Sequence, residues 1–289
     1  MKMFYRPFVG SEAIANRTLG KHELRAQYEA LFPDVYVPRG AVLTMQERAH
    51  AAWLYSHRQG VVAGLTASAL HGAKWVDERE PIEIVWSNAR RPHGLQTYDI
   101  RLRREEFAGL NGLPVTTPAR TGFDIARRGR IDDAVARVDA LGNATGLTAE
   151  SVYAVARRHR GARGLRRLEA VLDLYDPGAA SPKETWLRLL IIRAGFPRPQ
   201  TQIPALSPDG RRQYYLDMGW KDLKLAAEYD GEQHRLDPVQ FAYDIQRSED
   251  LDELGWTRVR VVKENRPADV IRRIERAWAS RLRTDREIS

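Results

Sequence analysis

Glu184, Asp217, Glu228 and Asp230 are four carboxylates in segments whose hydrophobic pattern otherwise reads as core. The last three fall in one stretch, Leu-Asp-Met-Gly-Trp-Lys-Asp-Leu-Lys-Leu-Ala-Ala-Glu-Tyr-Asp-Gly-Glu-Gln-His, residues 216–234. It reads as a hairpin with its turn at Lys221-Asp222. Successive strand residues point to opposite faces, so Glu228 and Asp230 share a face and Tyr229 takes the other. A tight turn sets Asp217 beside Ala226 and diagonal to Glu228, on that same face. Burying such charges unpaired costs on the order of several kcal/mol each. Either arginines or a divalent cation must neutralise them, and oxygen-only ligands suit Mg²⁺ or Mn²⁺.

Several residues near these acids have more than one reading. Glu184, in Ser-Pro-Lys-Glu, is either a member of the acid set or the glutamate of a capping box begun by Ser181. Gln233 and His234 lie just past the strand. His234 is a general acid or base near neutral pH, or a plain surface residue. Arg247 lies three residues beyond Asp244. It either neutralises the acids, binds a phosphate, or makes an ordinary helix-surface pair.

Positioning such a set requires a real core, and the chain has the means. It has 289 residues, 43% of them hydrophobic, which is enough for about two domains. The longest apolar runs, such as 186–192, are far short of the ~20 residues a membrane span needs. There is no cysteine, so disulfides and thiolate metal sites are excluded; this is neutral on compartment except that nothing asks for an oxidising one, and the cytoplasm is the default expectation. Net charge is +8, a balance that favours a polyanionic partner such as DNA.

Breakers and periodicity divide the chain at Asp176-Pro177-Gly178-Ala179-Ala180-Ser181-Pro182. Beyond it the pattern reads helix, strand, strand, strand, helix, strand, helix over 181–289. A helical crossover before the last strand makes that strand parallel to its predecessor. Before it, 1–42 reads as short helices and a strand, and 43–175 as α+β turning helical. In that region Thr44 and Glu47 form a capping box, and strands are expected at 81–86 and 98–102. Between two helices lies Ala-Arg-Arg-His-Arg-Gly-Ala-Arg-Gly-Leu-Arg-Arg, residues 156–167. Its Arg157, Arg158, Arg160 and Arg163 either track a phosphate backbone or form a solvated connection. The fold class is α/β, α+β overall.

Taken in order, Ser-Pro-Lys-Glu, Leu-Asp-Met-Gly-Trp, Glu-Tyr-Asp-Gly-Glu-Gln-His, Tyr-Asp-Ile-Gln-Arg and Gly-Trp-Thr-Arg-Val-Arg-Val resemble the restriction-endonuclease-like PD-(D/E)xK domains, closest to those of the very-short-patch-repair type. The resemblance implies an Mg²⁺- or Mn²⁺-dependent DNA endonuclease. In it Asp217 and Glu228 would be metal ligands, and Glu184, Asp230, Gln233 and His234 would complete the site. Asp230 stands where that superfamily usually has lysine.

In the front half, Leu-Thr-Ala-Ser-Ala-Leu-His-Gly and Leu-Pro-Val-Thr-Thr-Pro-Ala-Arg-Thr-Gly-Phe-Asp resemble actinobacterial AbiEi-like type IV antitoxins. This implies a winged-helix-like head over 1–42, with a helix at 21–31 entering a major groove and Lys21, His22 and Arg25 at the DNA. It also implies a DNA-binding repressor or antitoxin with a nucleotidyltransferase toxin as partner. Arg120 and Asp124, four residues apart, read as a structural pair.

Overall fold

A computed structural model of the chain describes residues 4–88, 91–230 and 238–288. The chain divides into two compact units, residues 1–173 and 174–289.

The first unit opens with a small head. Strand β1 (Phe8–Val9) leads into helices α1 (Gly10–Ala15) and α2 (Lys21–Gln27), then strands β2 (Tyr28–Phe32) and β3 (Val35–Pro38). The three strands form an antiparallel sheet in the order β1-β3-β2. Phe8, Ala13, Leu19, Leu24 and Tyr28 fill its core. The helix expected at 21–31 therefore stops at Gln27. Tyr28–Phe32 has the propensity for either state, and pairing with β3 decides it. The hairpin turn is only Pro33-Asp34. Asp34 ties it back to α1 by accepting from the Ser11 backbone N–H at 2.9 Å.

Helix α3 (Met45–Tyr55) follows, and its Thr44–Glu47 capping box forms as the sequence predicts. Strands β4 (Val61–Val62), β5 (Ile82–Val85), β6 (Leu95–Tyr98), β7 (Phe107–Leu110) and β8 (Leu113–Thr116) make a mixed sheet ordered β6-β5-β4-β8-β7. Between β4 and β5 runs α4 (Gly64–Leu70). The strand expected at 98–102 lies earlier, at Leu95–Tyr98, because parallel pairing with β5 fixes that register. Helices α5 (Pro118–Ala126), α6 (Ile131–Thr145), α7 (Ala149–Arg158) and α8 (Leu165–Leu174) complete the region, with α5 packed against α4, α6 and α7.

The second unit runs α9 (Pro182–Arg193), β9 (Gln200–Leu206), β10 (Gln213–Trp220), β11 (Leu225–Tyr229), α10 (Pro238–Glu253), β12 (Thr257–Val261) and α11 (Pro267–Ile288). The sheet order is β12-β11-β10-β9. The β11–β12 pair is parallel, as the helical crossover requires, and the other pairs are antiparallel. One core joins Leu187 and Ile191 of α9 to Met218, Val261, Val270 and Ile274. A second gathers Tyr214, Leu216 and Ala226 around Leu251 and Trp256. The molecule is thus α+β throughout. No helix among the described residues is long and apolar enough to cross a membrane.

Candidate functional site

The hairpin of the second unit is wider than its sequence suggests. Its connection spans residues 221–224, with the Lys224 N–H donating to the Lys221 carbonyl at 3.0 Å. Met218 therefore lies opposite Ala227, and Asp217 falls next to Glu228 instead of beside Ala226. The shift is two residues, so the shared face survives. The Asp217 carboxylate accepts the Tyr229 backbone N–H at 2.7 Å. Burial lifts its pKa first, the nearby Glu184 second and Glu228 less, while the Tyr229 N–H and Arg247 oppose this; the result is about 7. Burial likewise raises Glu184, against hydrogen bonds from Ala180 and Ser181. Asp217 thus feels the charges of both Glu184 and Glu228.

Each acid is also committed to a protein partner. Glu184 completes the capping box of α9: its carboxylate accepts from the Ser181 hydroxyl at 2.9 Å and the Ala180 N–H at 2.8 Å. Glu228 is buried and takes the Arg247 guanidinium at 2.5 Å, and the same Arg247 nitrogen donates to the Tyr215 carbonyl. Asp230 pairs with Arg260 at 2.6 Å. Of the readings open in sequence for Arg247, the structure places it on the acids. Asp230 is drawn off by a β12 arginine that the strand Thr-Arg-Val-Arg-Val projects beside it.

The Mg²⁺ or Mn²⁺ expected at Asp217 and Glu228 fits this arrangement poorly. Among the described residues no group of three or more His, Asp or Glu is arranged to hold a metal ion. Guanidinium groups already occupy Glu228 and Asp230. Gln233 and His234 lie outside the described residues.

The first unit holds a contrasting cluster. Arg120 is only 2% exposed. Its guanidinium binds Glu106 at 2.6 Å and Asp124 at 2.8 Å. Arg127 and Arg128 add bonds to Asp124 at 2.7 and 3.4 Å. His159 bonds Glu106 at 2.5 Å. Burial would raise Glu106, but bonds from His159 and the Arg103 backbone, with the Arg120 charge, hold it below the usual range. The Arg120–Asp124 spacing was visible in sequence. Glu106 and His159 were not, since they join from 14 and 39 residues away. Nearby, Glu83 accepts the Tyr98 hydroxyl at 2.6 Å and the Leu65 N–H at 2.8 Å, and Arg128 stacks over the Tyr98 ring.

The expected nucleic-acid contacts are placed as follows. Lys21, His22 and Arg25 are exposed on α2. Arg39 donates to the Arg25 and Ala26 carbonyls and so closes the C-terminal end of that helix. Arg157 pairs with Glu150 at 2.7 Å. Arg158, Arg160 and Arg163 are exposed.

With this geometry in view, the middle region is similar to a known family of domains. Residues 61–174 match the model of the AbiEi antitoxin C-terminal domain. That segment runs from β4 to the end of α8. Two uncharacterized proteins of Mycobacterium tuberculosis, Rv2248 of strain H37Rv and MT2308 of strain CDC 1551, are each 31% identical over 156 residues. The match spans 54% of this chain and 57% of each relative. The crystal structure of the RV2827C protein from Mycobacterium tuberculosis aligns with a TM-score of 0.41 and 18% identity, over 72% of this chain and 86% of that one.

Proposed function

We propose that this protein is a DNA-binding regulator of the antitoxin type, whose partner is a nucleotidyltransferase toxin encoded beside it. The match of residues 61–174 to the AbiEi antitoxin C-terminal domain carries this reading. The head supports it. A strand, two helices and a hairpin, with the first strand paired to the hairpin's second, is a winged-helix-like arrangement. In it α2 precedes the hairpin and exposes Lys21, His22 and Arg25, the position from which a short helix enters a major groove. Anchoring by Arg39 keeps that helix rigid against the hairpin.

The endonuclease reading rests on the mutual approach of Glu184, Asp217 and Glu228. It is the weaker one, because arginines fill the places a cation would need. In the favoured reading the second unit is a platform that keeps the acids without turnover.

The test is a mobility shift on duplex DNA from upstream of the protein's own gene, in EDTA. Binding that prefers this duplex over a scrambled one, and that Lys21→Ala/Arg25→Ala abolishes, supports the regulator. Equal binding to both duplexes by the parent and the double variant rejects the assignment of the head.

A further inference from the structure

The end of α7, the turn after it and the start of α8 together carry six arginines in eleven residues, 157–167, and all six are exposed. Like charges so crowded repel one another, and a surface usually relieves this with interspersed carboxylates. Here relief is scarce. Arg157 uses Glu150. The buried Glu106 and Asp124 behind the turn are taken by Arg120, Arg127, Arg128 and His159. Arg158, Arg160, Arg163 and Arg166 pair with no carboxylate among the described residues.

The turn is nevertheless held in place. His159 reaches inward to Glu106 at 2.5 Å. The Ala162 N–H closes on the His159 carbonyl at 2.9 Å. Arg127 donates to the Arg163 carbonyl, and Arg167 donates to the Arg127 carbonyl at 3.2 Å. Gly164 sits at φ +88°, where a Cβ would lie 2.3 Å from the Arg127 carbonyl oxygen. Only glycine permits that approach. The buried ion cluster thus fixes the backbone while the outer guanidinium groups face solvent.

We propose that this turn is a phosphate clamp for duplex DNA, adding sequence-independent grip to the readout assigned to α2. The proposal rests on the DNA-binding reading. The chemistry of the turn selects the partner. Guanidinium forks fit phosphate oxygens bidentately. Apart from the inward-bonded His159 the turn has no aromatic ring on which unpaired bases would stack, so it does not suit a single strand. Besides His159, only Gly161, Ala162, Gly164 and Leu165 lie between the arginines, and a single leucine does not make the apolar centre that a protein interface needs. Phosphate contacts of this kind position the protein and carry no sequence information.

The experiment uses the full chain and three probes: the upstream duplex, a scrambled duplex and a single strand of equal length. Each phosphate contact contributes about 0.9 to the slope of log affinity against log salt on duplex DNA. Arg158→Ala/Arg160→Ala/Arg163→Ala/Arg166→Ala should make that slope shallower by about 2 to 4 on both duplexes, leaving their affinity ratio intact. The matching fourfold Arg→Lys variant keeps the charge and should retain most of the slope. An unchanged slope in the alanine variant overturns the proposal. So does an equal loss in the alanine and lysine variants, which marks a structural effect, or a loss confined to the single strand. The scrambled duplex separates the two claims. If the parent shows no preference for the upstream duplex, the head's assignment fails while the slope still decides the turn.

Discussion

The two units bury charge in opposite ways. In the first, Arg120, Arg127 and Arg128 surround Glu106 and Asp124, and Glu106 is held below its ordinary pKa. In the second, Glu184, Asp217 and Glu228 crowd together with Arg247 as the guanidinium on Glu228, and burial with mutual repulsion drives Asp217 up to about 7. One cluster is a brace with its acids satisfied, the other a strained group of acids. A buried acid pattern in sequence therefore does not announce its role. What decides it is how many cations the rest of the fold delivers.

The largest effect expected from this contrast is at the brace. Arg120→Met leaves Glu106 and Asp124 without their central cation and should destabilise the first unit by about 3–5 kcal/mol in urea unfolding. A loss under about 1 kcal/mol would mean that Arg127, Arg128 and His159 suffice.

Asp217 should behave in the reverse sense. Its folded pKa is raised, so the folded state binds its proton more tightly than the unfolded chain does. Stability of the second unit should therefore decline as pH rises from about 4 to 7, by on the order of a few kcal/mol. Asp217→Asn should reduce this decline, stabilising the unit at pH 8 and changing little at pH 4. Glu106 has the opposite sign. Its lowered folded pKa contributes stability above the ordinary carboxylate value and loses it as pH falls through the folded pKa. Hydrogen exchange resolved by segment should show the first unit loosening first in acid and the second with rising pH. Parallel profiles would erase the contrast.

A smaller effect is expected at Arg247→Met, about 1–3 kcal/mol, because Glu228 then stays buried without its guanidinium. Mn²⁺ should restore part of that loss in the variant and none in the parent. Equal stabilisation of both by Mn²⁺ would show that Arg247 does not close the site. Smallest of all, Arg157→Ala breaks an exposed pair and should change thermal stability by less than about 1 kcal/mol.

Local signals in the sequence carried most of the second unit. Periodicity gave its element order, Ser181 and Glu184 gave the start of α9, and the crossover gave the parallel strand. Non-local pairing was harder. Tyr28–Phe32 reads as helix until β3 is beside it. Short strands such as Val61–Val62 have too few residues to show alternation. The same limit applied to the sites. Arg120–Asp124 was legible at i, i+4, whereas Arg260 reaches Asp230 only because β12 lies against β11. The acids were visible from their types, and the arginines that define what they do were not.

The most direct test puts binding and cleavage on one gel. Supercoiled plasmid carrying the upstream duplex is incubated with the protein in EDTA, in Mg²⁺ and in Mn²⁺. The plasmid should be retarded in all three and remain supercoiled after the protein is removed. Nicking that requires metal and vanishes in Asp217→Asn would contradict the account, because the second unit would then be a catalytic site and not a guanidinium-closed platform.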